Sequence, residues 1–251
     1  QSFSTYAGNP YFISLEELIE EGLLTEEECD KVDFGNRIDK VNYEKLYNGR
    51  FKLLKKAYKK SNISEKEDFD KFKSENCYWL NDYAMFMAIK DRFNGQSFDK
   101  WAEDIKLRWE YSMEYYQNEL KDEIEFYKFI QYEFYRQWYK LKKYANENGI
   151  KIIGDIPIYV AYDSADVWAH PELFQMDENG KPVAVAGCPP DGFSATGQLW
   201  GNPLYRWDYH KQTNYDWWIK RIERSVKLYD VVRIDHFRGF DEYYSIPAED
   251  E

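Results

Sequence analysis

Cysteine is scarce in this chain. Of 251 residues only Cys29, Cys77 and Cys188 are cysteine, and they form no C-x-x-C pair. An odd, sparse count argues against a disulfide framework and fits a reducing, cytoplasmic setting. Histidine is as scarce. His170, His210 and His236 show no H-E-x-x-H or comparable spacing, so zinc is disfavoured and only an oxygen-ligated cation stays open. A G-x-S-x-G elbow, a P-loop and a G-x-G-x-x-G turn are all missing, which removes the corresponding nucleophile and nucleotide classes. No apolar run approaches the length that spans a bilayer. The opening "QSFSTYAGNP" has neither an initiating Met nor a signal-peptide pattern. Positive charge is also in deficit, with 34 Lys and Arg against 46 Asp and Glu and a net charge of −12. That sign excludes the basic footprint of a nucleic-acid binder and suits a neutral or cationic ligand. The expectation is a soluble intracellular protein with no nucleic-acid or membrane partner, compatible with a piece of a longer chain.

Apolar and aromatic residues are plentiful. Hydrophobic residues make up 43% and aromatics 19%, enough for one large α/β domain or two small ones. Ser14-x-x-Glu17 is a capping box before Leu15, Leu18 and Ile19. Thr25-x-x-Glu28 and Ser64-x-x-Glu67 are two further candidate starts. Leu46, Leu53, Leu54 and Ala57 predict another helix between residues 41 and 58. From Trp79 to about Asn148 the pattern is almost wholly helical, and Trp109, Met113, Tyr116, Leu120, Ile124, Tyr127, Ile130, Phe134, Trp138, Leu141 and Ala145 recur at steps of three and four. The stripe reads as a packing face, interrupted by a kink or divided between two helices. Gly149 ends it.

The second half changes character. Ile150 to Ile153 is a short apolar run closed by Gly154 and Asp155. Residues 177–213 hold five Gly and four Pro, which predicts a long loop without regular structure. "NYDWWIKRIERSVKLYD" is amphipathic, with Trp218, Ile222, Val226 and Tyr229 on one face, and it leads into a Val231–Ile234 strand. Both strands are predicted to end in an aspartate, Asp155 and Asp235. In a parallel α/β barrel that is where reactive groups sit, with the helical middle as an insertion beside it. Arg233 shares a strand face with Asp235 by the period of two. An arginine beside a carboxylate keeps it ionised and oriented, the state a nucleophile needs and a general acid does not. A helix cap or a structural ion pair accounts for such acids as well. In "PPDGFSATGQLWGNPLYRW", the rings of Phe193, Trp200, Tyr205 and Trp207 lie among glycines. They either stack on sugar rings or pin a long loop to the body.

"FSTYAGNPYFISLEELIEEGLL", "GDIPIYVAYDSADVWAHPELF", "PPDGFSATGQLWGNPLYRW" and "RIDHFRGF" together resemble the 4-α-glucanotransferase (amylomaltase) family of the α-amylase clan. The likeness is strong over residues 1–24 and 150–247 and loose across the helical middle. It implies an α/β fold, a partial (β/α)8 TIM-type barrel with a large mostly helical insertion. The parts would be a barrel-associated N-terminal part (1–60), the insertion (61–149) and barrel βα units (150–251) with a long substrate loop (163–213). It implies Asp235 as nucleophile, Arg233 as the arginine holding it and Asp155 as a further active-site acid. His236, Phe193, Gln198 and Trp200 would contact substrate. The partners implied are malto-oligosaccharides and α-1,4-glucans, with no metal or organic cofactor. The family's acid/base sits in an A-E-D-L-G type segment on a later strand. Ala248-Glu249-Asp250 follows too soon after Asp235 to match it, so this chain is expected to lack the acid and to be inactive alone. A later stabilising aspartate and a tyrosine just before Gln1 are likewise expected beyond it. An α-amylase-like hydrolase and a non-catalytic glucan-binding fragment are the alternative readings.

Overall fold

In the computed structural model, which describes residues 2–35 and 37–250, the Ser14 hydroxyl accepts from the Glu17 amide and starts α1 (Leu15–Glu20). Thr25 and Glu28 form a reciprocal capping box ahead of α2 (Glu26–Asp30). The apolar positions near residue 50 lie on α3 (Tyr43–Lys60). The start predicted at Ser64 is displaced. Asn62 turns left-handed, Ile63–Glu65 form a 3-10 turn that carries Ile63 into the core, and α4 (Glu67–Glu75) begins after Lys66.

The helical middle is divided. It holds α5 (Cys77–Arg92), α6 (Glu103–Lys106), α7 (Glu110–Glu119) and α8 (Lys121–Glu147). The apolar stripe breaks at Leu120, whose backbone leaves the helical region, so it is shared by α7 and α8. Within α8 the stripe is buried from Ile124 to Ile130 and emerges at Leu141. Gly149, at φ 75°, closes α8. Its amide donates to the Asn146 carbonyl and that of Ile150 to the Ala145 carbonyl, a left-handed cap that a residue with a Cβ resists.

Two strands follow the helices in parallel, β1 (Ile153–Pro157) and, after a crossover, β4 (Val231–Asp235), with Asp155 opposite Arg233 and Pro157 opposite Asp235. β1 therefore begins where the apolar run was expected to close, and Asp155 is its third residue, not its last. The Pro-Gly-rich stretch is also more regular than predicted. Between the strands lie α9 (Ala165–Ala169), β2 (Ala184–Cys188), β3 (Gln198–Pro203), α10 (Trp207–Gln212) and α11 (Asp216–Leu228). β2 and β3 are antiparallel, and β5 (Tyr244–Pro247) adds to the other edge of β2. The glycines fit this small sheet because they mark close approach and irregularity. A Cβ on Gly187 would lie 2.4 Å from the Gln198 carbonyl oxygen, beside a break in the β2–β3 register.

One hydrophobic core runs through all of this, from Leu18 and Leu54 through Phe86, Tyr127 and Phe129 to Trp168, Phe174 and Tyr205. Polar side chains staple the irregular N-terminal segment onto it. Gln131 accepts from the Gly8 amide at 2.8 Å, and buried Asp166 accepts from the Thr5 amide and hydroxyl at 2.8 and 2.7 Å. The buried face of α11 is rotated from the predicted one. It presents Trp217, Trp218, Arg221, Arg224 and Ser225, while Val226 and Ile219 face outward. Arginine stems and their planar heads fill core space when they lie on aromatic rings. Arg221 does so 4.8 Å from the Trp218 ring and Arg224 4.0 Å from that of Tyr135.

Candidate active site

Strand periodicity builds the site. Along β1 and β4 the residues Asp155, Pro157, Arg233 and Asp235 point to one exposed face, and Gly154, Ile156, Val232 and Ile234 to the other. The covered face is tight at Gly154. A Cβ there would lie 2.0 Å from the Tyr229 ring, which packs edge-on against Trp138 of α8. Seating β1 so deeply sets the height at which Asp155 meets its neighbours.

On the exposed face Arg233 bridges two acids. Its Nη1 donates to Asp155 at 2.7 Å and its Nη2 to Asp235 at 2.5 Å. The hydrogen bonds it donates, to Asp155 first and then to Asp235, raise the guanidinium further above its ordinary pKa. All three side chains are more than half exposed. So open an ion pair adds little to stability, because water screens it. An arrangement that contributes little to the fold yet fixes both carboxylates is one suited to a ligand.

The chain turns sharply at the end of β4. His236 sits in the left-handed region at φ 53°, and a 3-10 turn, Phe237–Phe240, follows. Gly239 lies within that turn. A Cβ there would come 2.9 Å from the His236 ring and 2.9 Å from Ile158, so its absence lets the turn close onto the end of β1. His236 in turn meets Trp200 edge-on, ring centroids 5.1 Å apart, and Tyr159 at 6.2 Å. Gln198 accepts from the Trp200 indole at 3.0 Å.

Of the predicted residues, the structure brings Asp155, Arg233 and Asp235 into one cluster and His236, Trp200 and Gln198 into an adjoining one. Phe193 stands apart. It tops the connection between β2 and β3, 97% exposed, on a turn in which Asp191 accepts from the amides of residues 193 and 194. Tyr159 belongs beside His236 and Trp200 and was not anticipated. Period-two counting from Asp155 through Pro157 reaches it, so the signal was present in "GDIPIYV". Asn202, which donates to the Val160 carbonyl at 2.7 Å, carried no such signal. A cavity of about 500 Å³ opens beside the strand, lined by Asp155, Pro157, Tyr159, Asn202 and Arg221 together with the N-terminal segment. Among the described residues no group of three or more His, Cys, Asp and Glu side chains is placed to hold a metal ion. No described helix is long and apolar enough to cross a membrane.

Comparison with known proteins gives a consistent answer. The family model described as 4-alpha-glucanotransferase (Glyco_hydro_77) matches residues 1–251. The chain is 51% identical over 247 residues to the 4-alpha-glucanotransferase of Clostridium butyricum, covering 98% of this chain and 51% of that protein. It is 46% identical to the enzyme of the same name from Thermus thermophilus, covering 99% of this chain and 49% of that one. Among solved structures, an amylomaltase from Streptococcus agalactiae in complex with acarbose superposes with a TM-score of 0.94 at 44% identity, over 99% of this chain and 51% of that one. The chain thus spans about half the length of the relatives it matches.

Proposed function

The chain belongs to the 4-alpha-glucanotransferase family, and from that premise we propose that it carries the nucleophile half of a site that transfers α-1,4-glucan segments between malto-oligosaccharides with retention. Asp235 attacks the anomeric carbon and forms a glycosyl ester as the leaving sugar departs. The 4-hydroxyl of an acceptor sugar then attacks that carbon and frees Asp235. Arg233 holds Asp235 and Asp155 in fixed relation, and Asp155 faces the sugar from the neighbouring strand. His236 and Trp200, with Gln198 on the indole, form the wall on which the donor packs. Phe193 is carried on a hairpin free to fold over it, and an apolar cover that excludes water favours a sugar acceptor over hydrolysis. The chemistry draws on carboxylates and calls for no metal or organic cofactor.

A retaining mechanism also needs a carboxylic acid about 5 Å from the nucleophile. We assign it to the half of the family's length that this chain does not span. On the same reading β1 and β4 are neighbouring strands of a (β/α)8 barrel, residues 61–149 are a helical insertion beside it, and residues 163–213 form its substrate segment. The three dispersed cysteines fit a cytoplasmic enzyme.

The observation that carries the reading is the bridge of Arg233 between two carboxylates on an exposed strand face. α-Maltosyl fluoride tests it, because fluoride departs without a proton from an acid partner. Mass spectrometry after incubation should find a maltosyl adduct on the Asp235 peptide, and none in Asp235→Asn. A folded chain that acquires no adduct would overturn the assignment.

A further inference from the structure

Arg221 is the most deeply buried arginine among the described residues at 3% exposure. A buried guanidinium is costly unless its donors are met. Those of Arg221 go to uncharged oxygens. Nη2 donates to the Pro157 carbonyl at 2.5 Å, and Nη1 to the Ile158 carbonyl at 3.1 Å and the Tyr205 hydroxyl at 3.3 Å. The Tyr205 hydroxyl donates to the same Ile158 carbonyl at 2.6 Å. Asp166, the acid close enough to feel the guanidinium's field, gives both its oxygens to Thr5. The Trp217 and Trp218 rings lie within 5.4 and 4.8 Å of the guanidinium.

The place of these bonds is what matters. Pro157 is the last residue of β1 and pairs with Asp235. Ile158 is the first residue beyond the ladder, and Tyr159 follows it. The Tyr159 ring stacks on Tyr205 at 6.1 Å and 19°, and its other neighbours are Trp200 at 6.1 Å and His236 at 6.2 Å. Arg221 thus grips the backbone at the point where the acid-bearing strand becomes the loop that supports the aromatic wall. A planar fork can serve two successive carbonyls and a hydroxyl at once, whereas a lysine, a point charge on a flexible stem, cannot do so in fixed geometry.

We infer that Arg221 is a positioning residue for sugar binding: by holding the Pro157 and Ile158 carbonyls it sets Tyr159 as the backing of His236 and Trp200. The inference rests on the proposed site and concerns who holds its wall. It separates binding from chemistry, because Asp235 is oriented by Arg233 on the opposite face of the sheet from α11.

The test uses the intact protein that contains this chain, with maltotriose as substrate and acarbose as the binding probe. Arg221→Met and Tyr159→Leu should each raise KM by about tenfold and weaken acarbose binding in step, with kcat held within about threefold. The double variant should be no worse than the poorer single one, since both act on one wall. A lowered Tm with KM and acarbose affinity unchanged would leave Arg221 a purely structural residue and overturn the inference. If Arg221→Met fails to fold, Tyr205→Phe removes one hydroxyl from the same network, and unchanged KM in both Tyr205→Phe and Tyr159→Leu overturns it equally. Asp235→Asn keeps the two levels apart. Transfer that survives it sinks the site itself, whereas an unmoved KM beside a dead Asp235→Asn sinks only the role of Arg221.

Discussion

Single residues here are decided by what surrounds them. His210 is fully buried among the rings of Tyr205, Trp207 and Trp217, and its Nε2 lies 3.1 Å from the Leu173 carbonyl. That partner requires the proton on Nε2, and burial lowers the imidazole pKa. The unfolded chain therefore takes up a proton below about 6.5 that the folded one resists, so stability falls as pH drops through that value and levels off below the folded pKa. His170 works in the other sense. The Glu172 carboxylate raises its pKa, and the stability it adds is present below about 6.5 while Glu172 stays ionised and is lost as pH rises through the raised value. Comparison with His210→Phe isolates the first effect. From pH 7.5 to 5.5 the variant's urea midpoint should fall less than the wild type's, and parallel falls would refute the assignment. Nothing in the spacing of three histidines distinguishes these fates. Arg233 and Asp235, in contrast, could be put on one face of β4 from the alternation of their neighbours alone.

At the scale of elements, local signals marked most caps, but the box at Ser64 is overridden by the left-handed turn at Asn62, and α4 starts after Lys66. Ser14, Thr25 and Gly149 mark helix ends through bonds to residues three or four positions away, and such bonds can be read from spacing. Strand limits and the small antiparallel sheet were not legible. β5 pairs with β2 across a long stretch of chain, and glycine and proline in β2 and β3 serve close approach, not disorder. The rotated face of α11 escaped for a related reason. Its two buried arginines look like surface residues until the rings beneath them are known. Gly154 shows how such packing acts on the site. Gly154→Ala should destabilise the protein by about 1–3 kcal/mol through overpacking against Tyr229. Pairing it with Tyr229→Leu should recover part of that in urea titrations. A fully additive loss in the double variant would mean that the two side chains do not meet.

For the whole molecule, the shared core ties the helical middle to the strands, so cutting the chain at residue 60 or 149 would expose apolar surface on both sides. Lys90, 5% exposed on α5, reaches across that boundary to Asp163 at 2.5 Å. The proposed site nonetheless has its nucleophile here and its acid elsewhere. This 251-residue chain should therefore give little or no disproportionation of maltotriose while still accepting α-maltosyl fluoride. Vigorous turnover of maltotriose by the isolated chain would mean that an acid within it has been overlooked. Short-range pattern carried the caps at Ser14, Thr25 and Gly149, the polar and apolar faces of β4, the net negative charge, and four motif blocks specific enough to point to one family. Which distant groups meet was left to the packing of the folded chain: Asp155 with Arg233, Tyr159 with His236 and Trp200, Arg221 with the end of β1. Those contacts join residues 40 to 80 positions apart, and their geometry depends on how deeply each element is seated, which no local spacing encodes.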